Sequence, residues 1–118
     1  MDKFMVTAVT VPNEEQGLLI AKALVEDRLA ACVTLIHGLI SIYRWKGEIC
    51  KEGEMLLWIK SRKSLTRPLQ KRIQQLHPYE VPEIISLTIA EGLPEYLSWI
   101  HAETGENTTA AERRPADG

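Results

Sequence analysis

At 118 residues, 45% of them apolar and 25% charged, the chain has the length and composition of one ordinary globular domain. A formal net charge of −2 gives no electrostatic footprint for DNA, RNA or an anionic membrane, so nucleic acid is not an expected partner. The opening MDKFMVTAVTV lacks the charged start and cleavage site of a signal peptide, and no apolar stretch approaches the ~20 residues of a membrane span.

Phe4–Val11 (FMVTAVTV) is β-branched and almost continuously apolar, the pattern of a strand covered on both faces. Pro12 stops it, and Asn13 with Gln16 three residues later forms a helix-start signal. Leu18, Ala21, Leu24 and Val25 recur at helical spacing, which predicts a helix over residues 14–27. Residues 32–45 (CVTLIHGLISIYRW) make a long strand, with Gly38 marking a bulge or bend. Lys46 and Gly47 supply a turn, and residues 48–60 return as the partner strand. A kink is expected at Lys51, Glu52 and Gly53.

Ser64 is placed to cap a second helix lined by Leu65, Leu69, Ile73 and Leu76, with Pro68 tolerated in its first turn. Residues 84–89 (IISLTI) form the fourth strand. Residues 93–102 (LPEYLSWIHA) form a short last helix, with Tyr96, Leu97, Trp99 and Ile100 as its apolar contacts. One domain is expected over residues 1–104. The tail 105–118, almost without bulky apolar residues, is expected to be disordered.

The order β-α-β-β-α-β with a terminal helix predicts an α+β, ferredoxin-like fold, an antiparallel sheet with its helices on one face. The hairpin is apolar on both sides, with Val33, Leu35, Ile40 and Ile42 on some positions and Ile36, Leu39 and Tyr43 on others. Such surface does not stay in water, so self-association through the hairpin is expected.

The chemistry concentrates in HPYEVPEI, residues 77–84. Pro78 pushes His77 out of the helical region, and Pro82 does the same to Val81, so the connection is stiff. Two readings stand side by side. In one, Tyr79 packs and His77 bonds a backbone carbonyl. In the other, His77, Glu80 and Glu83 are metal ligands, with His77 and Glu80 ranked above Glu83. Cys32 is either a small buried hydrophobe or a soft thiolate that completes the set. Nitrogen and sulfur among these donors favour Cu(II) or Zn(II) over Ca(II), and a partner chain or water must supply the remaining ligands.

Tyr43, Trp45, Lys60, Tyr79 and Trp99 are the candidate walls of a small-ligand cleft, near the cations Arg44, Lys46 and Arg62. No Gly-rich loop leads from a strand into a helix, so no organic cofactor is expected. No carboxylate pair has a base beside it, so no catalytic residue is assigned. Cys32 and Cys50 form no CxxC pair and lie in expected strands with no secretory context, so both read as reduced thiols and a cytoplasmic protein is expected.

The runs LAACVTLIHGLISIYRWKGEI, MLLWIKS, HPYEVPEI and YLSWI occur in order over roughly residues 4–104. Together they resemble the CutA family, the divalent-cation tolerance proteins. The resemblance implies a homotrimer of ferredoxin-like subunits whose hairpins pair with one another. It also implies a cytosolic protein, with no established reaction, linked to tolerance of copper and other divalent metals. The trimer is similar to that of PII signalling proteins, which implies an alternative: a small anionic ligand bound between subunits and a signal passed to a protein partner. Two positions depart from the family pattern. His37 stands where Pro commonly precedes the Gly, and Cys50 is not a family landmark. The expected function is non-enzymatic, with weak binding of Cu(II) or another divalent cation.

Overall fold

The computed structural model describes residues 3–105. Their elements are β1 (Phe4–Val11), α1 (Glu14–Glu26), β2 (Cys32–Trp45), β3 (Glu48–Arg62), α2 (Thr66–Leu76), β4 (Ile84–Thr88) and α3 (Pro94–Glu103). The four strands form one antiparallel sheet in the order β2-β3-β1-β4. This is the ferredoxin-like arrangement, and the expected element order holds throughout. Beyond Gly105, the predicted tail lies outside the described residues. Among those residues no helix is long and apolar enough to cross a membrane.

Strand alternation decides which side chains meet the helices. Met55, Leu57 and Ile59 on β3 lie opposite Val11, Val9 and Thr7 on β1, and all six are buried. Ile20 and Leu24 of α1 and Leu69 and Ile73 of α2 close over this face with no solvent exposure. Each such apolar side chain contributes about 1.5–3 kcal/mol through burial.

The buried face of α1 is Gly17, Ile20, Ala21 and Leu24, which corrects the expected stripe. Leu18 and Val25 flank it and stay exposed. Gly17 is the reason: a Cβ there would press within 3.3 Å of Val11 and 3.4 Å of Leu35 and Leu57. The helix therefore lies closest to the sheet at Gly17, and the residues beside it are left at the edge. The Asn13 cap is as expected, with its side chain accepting the Gln16 N–H at 2.9 Å.

Ser64 does not cap α2. It lies inside a short 3-10 turn (Lys63–Leu65), and the residue before the helix is Leu65, which makes no side-chain cap bond. Thr66 donates its hydroxyl to Lys63 O at 2.6 Å instead. Pro68 falls in the first helical turn, as required.

The hairpin bends in β2, not at residues 51–53. β3 runs unbroken there, with Gly53, Glu52 and Lys51 opposite Ile40, Ser41 and Ile42. The register shifts between Ile36 and Leu39, so His37 and Gly38 together face Met55, and Gly38 absorbs the extra residue at φ +83°. Because β1 ends opposite Met55, the hairpin beyond Leu39 and Glu54 has no third strand. It projects, and the molecule is 51 Å long against 29 and 22 Å in its other directions. Lys46 and Gly47 turn the tip, both at positive φ, as a two-residue hairpin loop demands.

Two arginines fasten the end of α3. Arg28 donates to Gly105 O at 3.0 Å and Ala102 O at 2.8 Å, and Arg62 donates to Thr104 Oγ1 at 2.8 Å and Thr104 O at 2.7 Å. Ala102 O is a carbonyl that the helix end leaves unpaired, and Thr104 O and Gly105 O lie just past that end. Gly105 sits at φ +82°, and a Cβ there would collide with the Arg62 guanidinium. Gly105→Ala is therefore expected to lower stability by about 1–3 kcal/mol in urea unfolding. A variant as stable as the parent would show that the clamp carries no load. On α3 itself only Ile100 is buried, while Tyr96 and Trp99 remain partly exposed, contrary to the packing expected of them.

Candidate functional site

The stiff loop after α2 stands beside the projecting hairpin, and the two enclose a cleft of about 630 Å3. Its position follows from the chain. Helix α2 ends because His77 takes an extended conformation before Pro78 (φ −77°, ψ 137°). The imidazole of His77, only 8% exposed, then turns onto the end of β1. Nε2 lies 2.7 Å from Thr10 O, and Nδ1 lies 3.1 Å from the Tyr79 backbone N. A carbonyl can only accept and a backbone N–H can only donate, so the proton sits on Nε2. Both ring nitrogens are thereby engaged within the chain.

This tie sets Tyr79. Its ring lies 4.7 Å from that of His77, and its hydroxyl donates to Glu54 Oε2 at 2.7 Å. Glu54 pairs with Leu39, the first β2 residue past the bulge, and is itself 9% exposed. Tyr43, Trp45 and Ser41 line the hairpin side of the cleft, and Glu80, Val81 and Glu83 line the loop side. The cleft therefore carries three carboxylates, Glu54, Glu80 and Glu83. At its mouth the Lys46 ammonium lies 3.9 Å from Glu80 Oε1 and 5.6 Å from the centre of the Trp45 ring.

Burial first, then the hydrogen bond to Glu54, raises the Tyr79 pKa well above 10.0. Burial and the charge of Glu52 raise Tyr43 as well. A pKa raised on folding means that the unfolded chain loses the proton first as pH rises. Stability supplied by Tyr79 is complete below pH 10.0 and is lost above it, towards the folded-state pKa. Unfolding midpoints are accordingly expected to fall above about pH 10, and to fall less steeply in Tyr79→Phe. Equal slopes in both proteins would remove Tyr79 as the cause.

The structure brings together Tyr43, Trp45, Tyr79, Glu80 and Glu83 from the sequence-predicted set. His77 stands behind Tyr79 in the same loop, and Cys32, Lys60 and Trp99 lie elsewhere. Cys32 begins β2 with its Sγ 3.6 Å from Lys60 Nζ, and Lys60 also reaches Thr34 Oγ1 at 3.1 Å. Cys32 lies opposite Lys60, which lies opposite Val6, whereas His77 is tied to Thr10. At ~3.3 Å per strand residue, that puts the thiol about 13 Å along the sheet from the imidazole. Trp99 stacks on Tyr96 at 5.5 Å on α3, outside the cleft. His37 bonds Glu14 Oε1 at 2.8 Å, and Cys50, opposite Tyr43, is a free thiol like Cys32. Among the described residues no three His, Cys, Asp or Glu side chains converge on a point that could hold a metal ion.

Sequence reasoning missed Glu54. Its alternation with Leu56 and Trp58 was legible and assigns it to the sheet face away from α1 and α2. Nothing local signals that Tyr79 will meet it there.

The fold and cleft define a class: ferredoxin-like α+β domains with an overlong hairpin at one side of the sheet, flanked by a proline-bound loop. The family model of the CutA1 divalent ion tolerance protein matches residues 5–103, and the chain belongs to that family. It is 53% identical over 100 residues to the divalent-cation tolerance protein CutA of Thermus thermophilus, an alignment covering 85% of this chain and 97% of that one. It is 49% identical to protein CutA of Mus musculus over 81% of this chain, but spans only 54% of that longer protein. A solved structure of the Thermus thermophilus protein superposes with a TM-score of 0.84 at 52% identity, covering 86% of this chain and 99% of that one. CutA1 from Oryza sativa superposes with a TM-score of 0.86 at 40% identity, covering 90% and 97%.

Proposed function

We propose that this protein serves divalent-cation tolerance as a non-enzymatic, cytoplasmic homotrimer that holds Cu(II) or another divalent cation weakly in the cleft. The observation that carries the reading is the cleft's charge, three carboxylates against the single ammonium of Lys46. The names of the relatives, divalent-cation tolerance proteins, support the same direction. Glu80 and Glu83 are the leading ligands. His77 serves first as the tie that holds their loop, and could ligate only by releasing Thr10 or Tyr79. Cys32 stands apart from the cleft within one chain. With no three ligands converging among the described residues, waters or a partner chain must complete the coordination, and affinity stays low.

Assembly is supported by apolar surface that one chain leaves in water. Ile40, Ile42 and Ile49 project from one face of the hairpin, and Ile85 and Leu87 lie on the sheet face away from α1 and α2. A non-enzymatic role is supported by His77, whose two nitrogens are spent on backbone groups, so the imidazole does not serve as a base.

Calorimetric titration with Cu(II) and Zn(II) tests the metal reading. Glu80→Gln combined with Glu83→Gln is expected to weaken binding at least tenfold, about 1.4 kcal/mol. Cys32→Ser is expected to leave it unchanged. Undiminished affinity in the Glu80/Glu83 variant would sink the assignment. A nucleotide panel in the same experiment tests the PII-like alternative, an anionic ligand, which the carboxylates of this cleft oppose.

A further inference from the structure

We propose that the same cleft binds an aliphatic ammonium compound, its charged head set against Glu54 and Glu80 and its alkyl body against the aromatic wall. The inference shares the cleft with the divalent-cation reading but requires no metal.

The size of the cleft comes first. A volume of about 630 Å3 suits a small organic molecule, being far larger than a bare ion needs. The walls come next. Tyr43, Trp45 and Tyr79 present aromatic surface, and Ile42 and Val81 add aliphatic surface. Aromatic faces attract ammonium groups through the ring quadrupole, and apolar walls favour an alkyl chain over a hydrated inorganic ion.

The floor is Glu54, nine-tenths buried. Its Oε2 accepts the Tyr79 hydroxyl, but Oε1 has no hydrogen-bond partner among the described residues. A buried carboxylate oxygen without a donor is costly, and an ammonium N–H directed to it removes that cost. Tyr79 cannot supply a second proton, having donated its only one. The cleft thus lacks a cationic donor where a ligand's head would lie.

The chain itself supplies a stand-in at the mouth. The Lys46 side chain is a primary alkylammonium, and it already lies 5.6 Å over Trp45 and 3.9 Å from Glu80. It reaches them from the hairpin tip while remaining 72% exposed, so little holds it in place. A free alkylamine of the same chemistry would displace it, and its head, untethered to the hairpin tip, can move inward from Glu80 to Glu54. Lys46 is therefore a built-in competitor. An anion gains nothing here, because it would meet three carboxylates.

The experiment titrates the full chain with n-hexylamine hydrochloride, with sodium hexanoate and hexan-1-ol as controls, following tryptophan fluorescence and calorimetric heat. Saturable binding of the amine, without binding of the acid or the alcohol, is expected. Glu54→Gln is expected to weaken it at least tenfold. Lys46→Gln is expected to strengthen it severalfold, a gain that misfolding cannot mimic. No saturable response to the amine in either the parent or Lys46→Gln overturns the proposal, as does hexan-1-ol binding as tightly as the amine. Equal amine affinity in the parent and Lys46→Gln overturns the placement of the head at Trp45 and Glu80. Separate titrations with Cu(II) keep the two readings apart. Metal binding without amine binding defeats this inference alone, and amine binding without metal binding defeats the divalent-cation reading alone.

Discussion

Replacing Ile40 and Ile42 together by Asp is expected to turn an associated protein into folded monomers at micromolar concentration, as read by sedimentation equilibrium. Both side chains are more than two-thirds exposed in one chain, at 67% and 69%, and Ile49 across the turn is 64% exposed. Ile40 and Ile42 alternate with Ser41, and Ile49 faces Arg44, so all three isoleucines share one face of the projecting segment. Ile42 also borders the cleft, but all three side chains stay largely in water within one chain, outside the buried core. Covering one isoleucine is worth about 1.5–3 kcal/mol, and a symmetric assembly repeats the gain in every subunit. Asp at the same positions would forfeit that gain and bring unpaired charge into the contact, a larger penalty than the lost area. Neither position belongs to the core around Leu57 and Ile73, so helical circular dichroism should persist. A parent chain that is monomeric under these conditions would defeat the assembly proposal. An undisturbed oligomer in the double variant would move the interface to the Ile85 and Leu87 face.

His77→Ala is expected to cost on the order of 2–4 kcal/mol in urea unfolding, because two hydrogen bonds are lost and a buried carbonyl is left without its donor. The ring bonds Thr10 O and receives the Tyr79 N–H, so its removal frees the loop from β1 at both contacts. The Tyr79 hydroxyl then loses its fixed approach to Glu54, and cleft binding should weaken with no ligand atom removed. His77→Gln, whose side-chain amide can still donate to Thr10 O, is expected to recover part of the stability. A cost below about 0.5 kcal/mol for His77→Ala, the size of an ordinary surface substitution, would make the imidazole a bystander. Copper affinity lost in His77→Gln at full stability would instead make it a ligand.

Of the two readings of HPYEVPEI, the geometry of the packing device is present: a carbonyl-bonded imidazole and a packed phenol. The loop also lines a cleft, because the phenol it fixes reaches a carboxylate on another element. Rigidity and chemistry therefore share one cause. A helix stopped by Pro78 leaves His77 extended at the end of β1, and residues 78–83 must then run alongside the hairpin.

Local pattern determined the elements. β-branched density made Phe4–Val11 a strand buried on both faces, Asn13 marked a helix start, and Gly38 marked a bulge or bend in β2. The element order then narrowed the topology to a ferredoxin-like sheet, since strands of these lengths joined by single helices have few other ways to pack. Tertiary structure alone decided which flank of α1 is buried, because that depends on Gly17 meeting Val11, Leu35 and Leu57 from three different strands. It alone left Ser64 in a 3-10 turn, and it alone kept β3 straight through Gly53, where β2 supplies a paired neighbour for every residue. The cleft was the least legible feature. Its two organising hydrogen bonds join residues 67 and 25 positions apart, His77 to Thr10 and Tyr79 to Glu54. Periodicity reports which side chains share a face of one element, whereas such bonds depend on how separate elements are brought together, and only the packed sheet sets that.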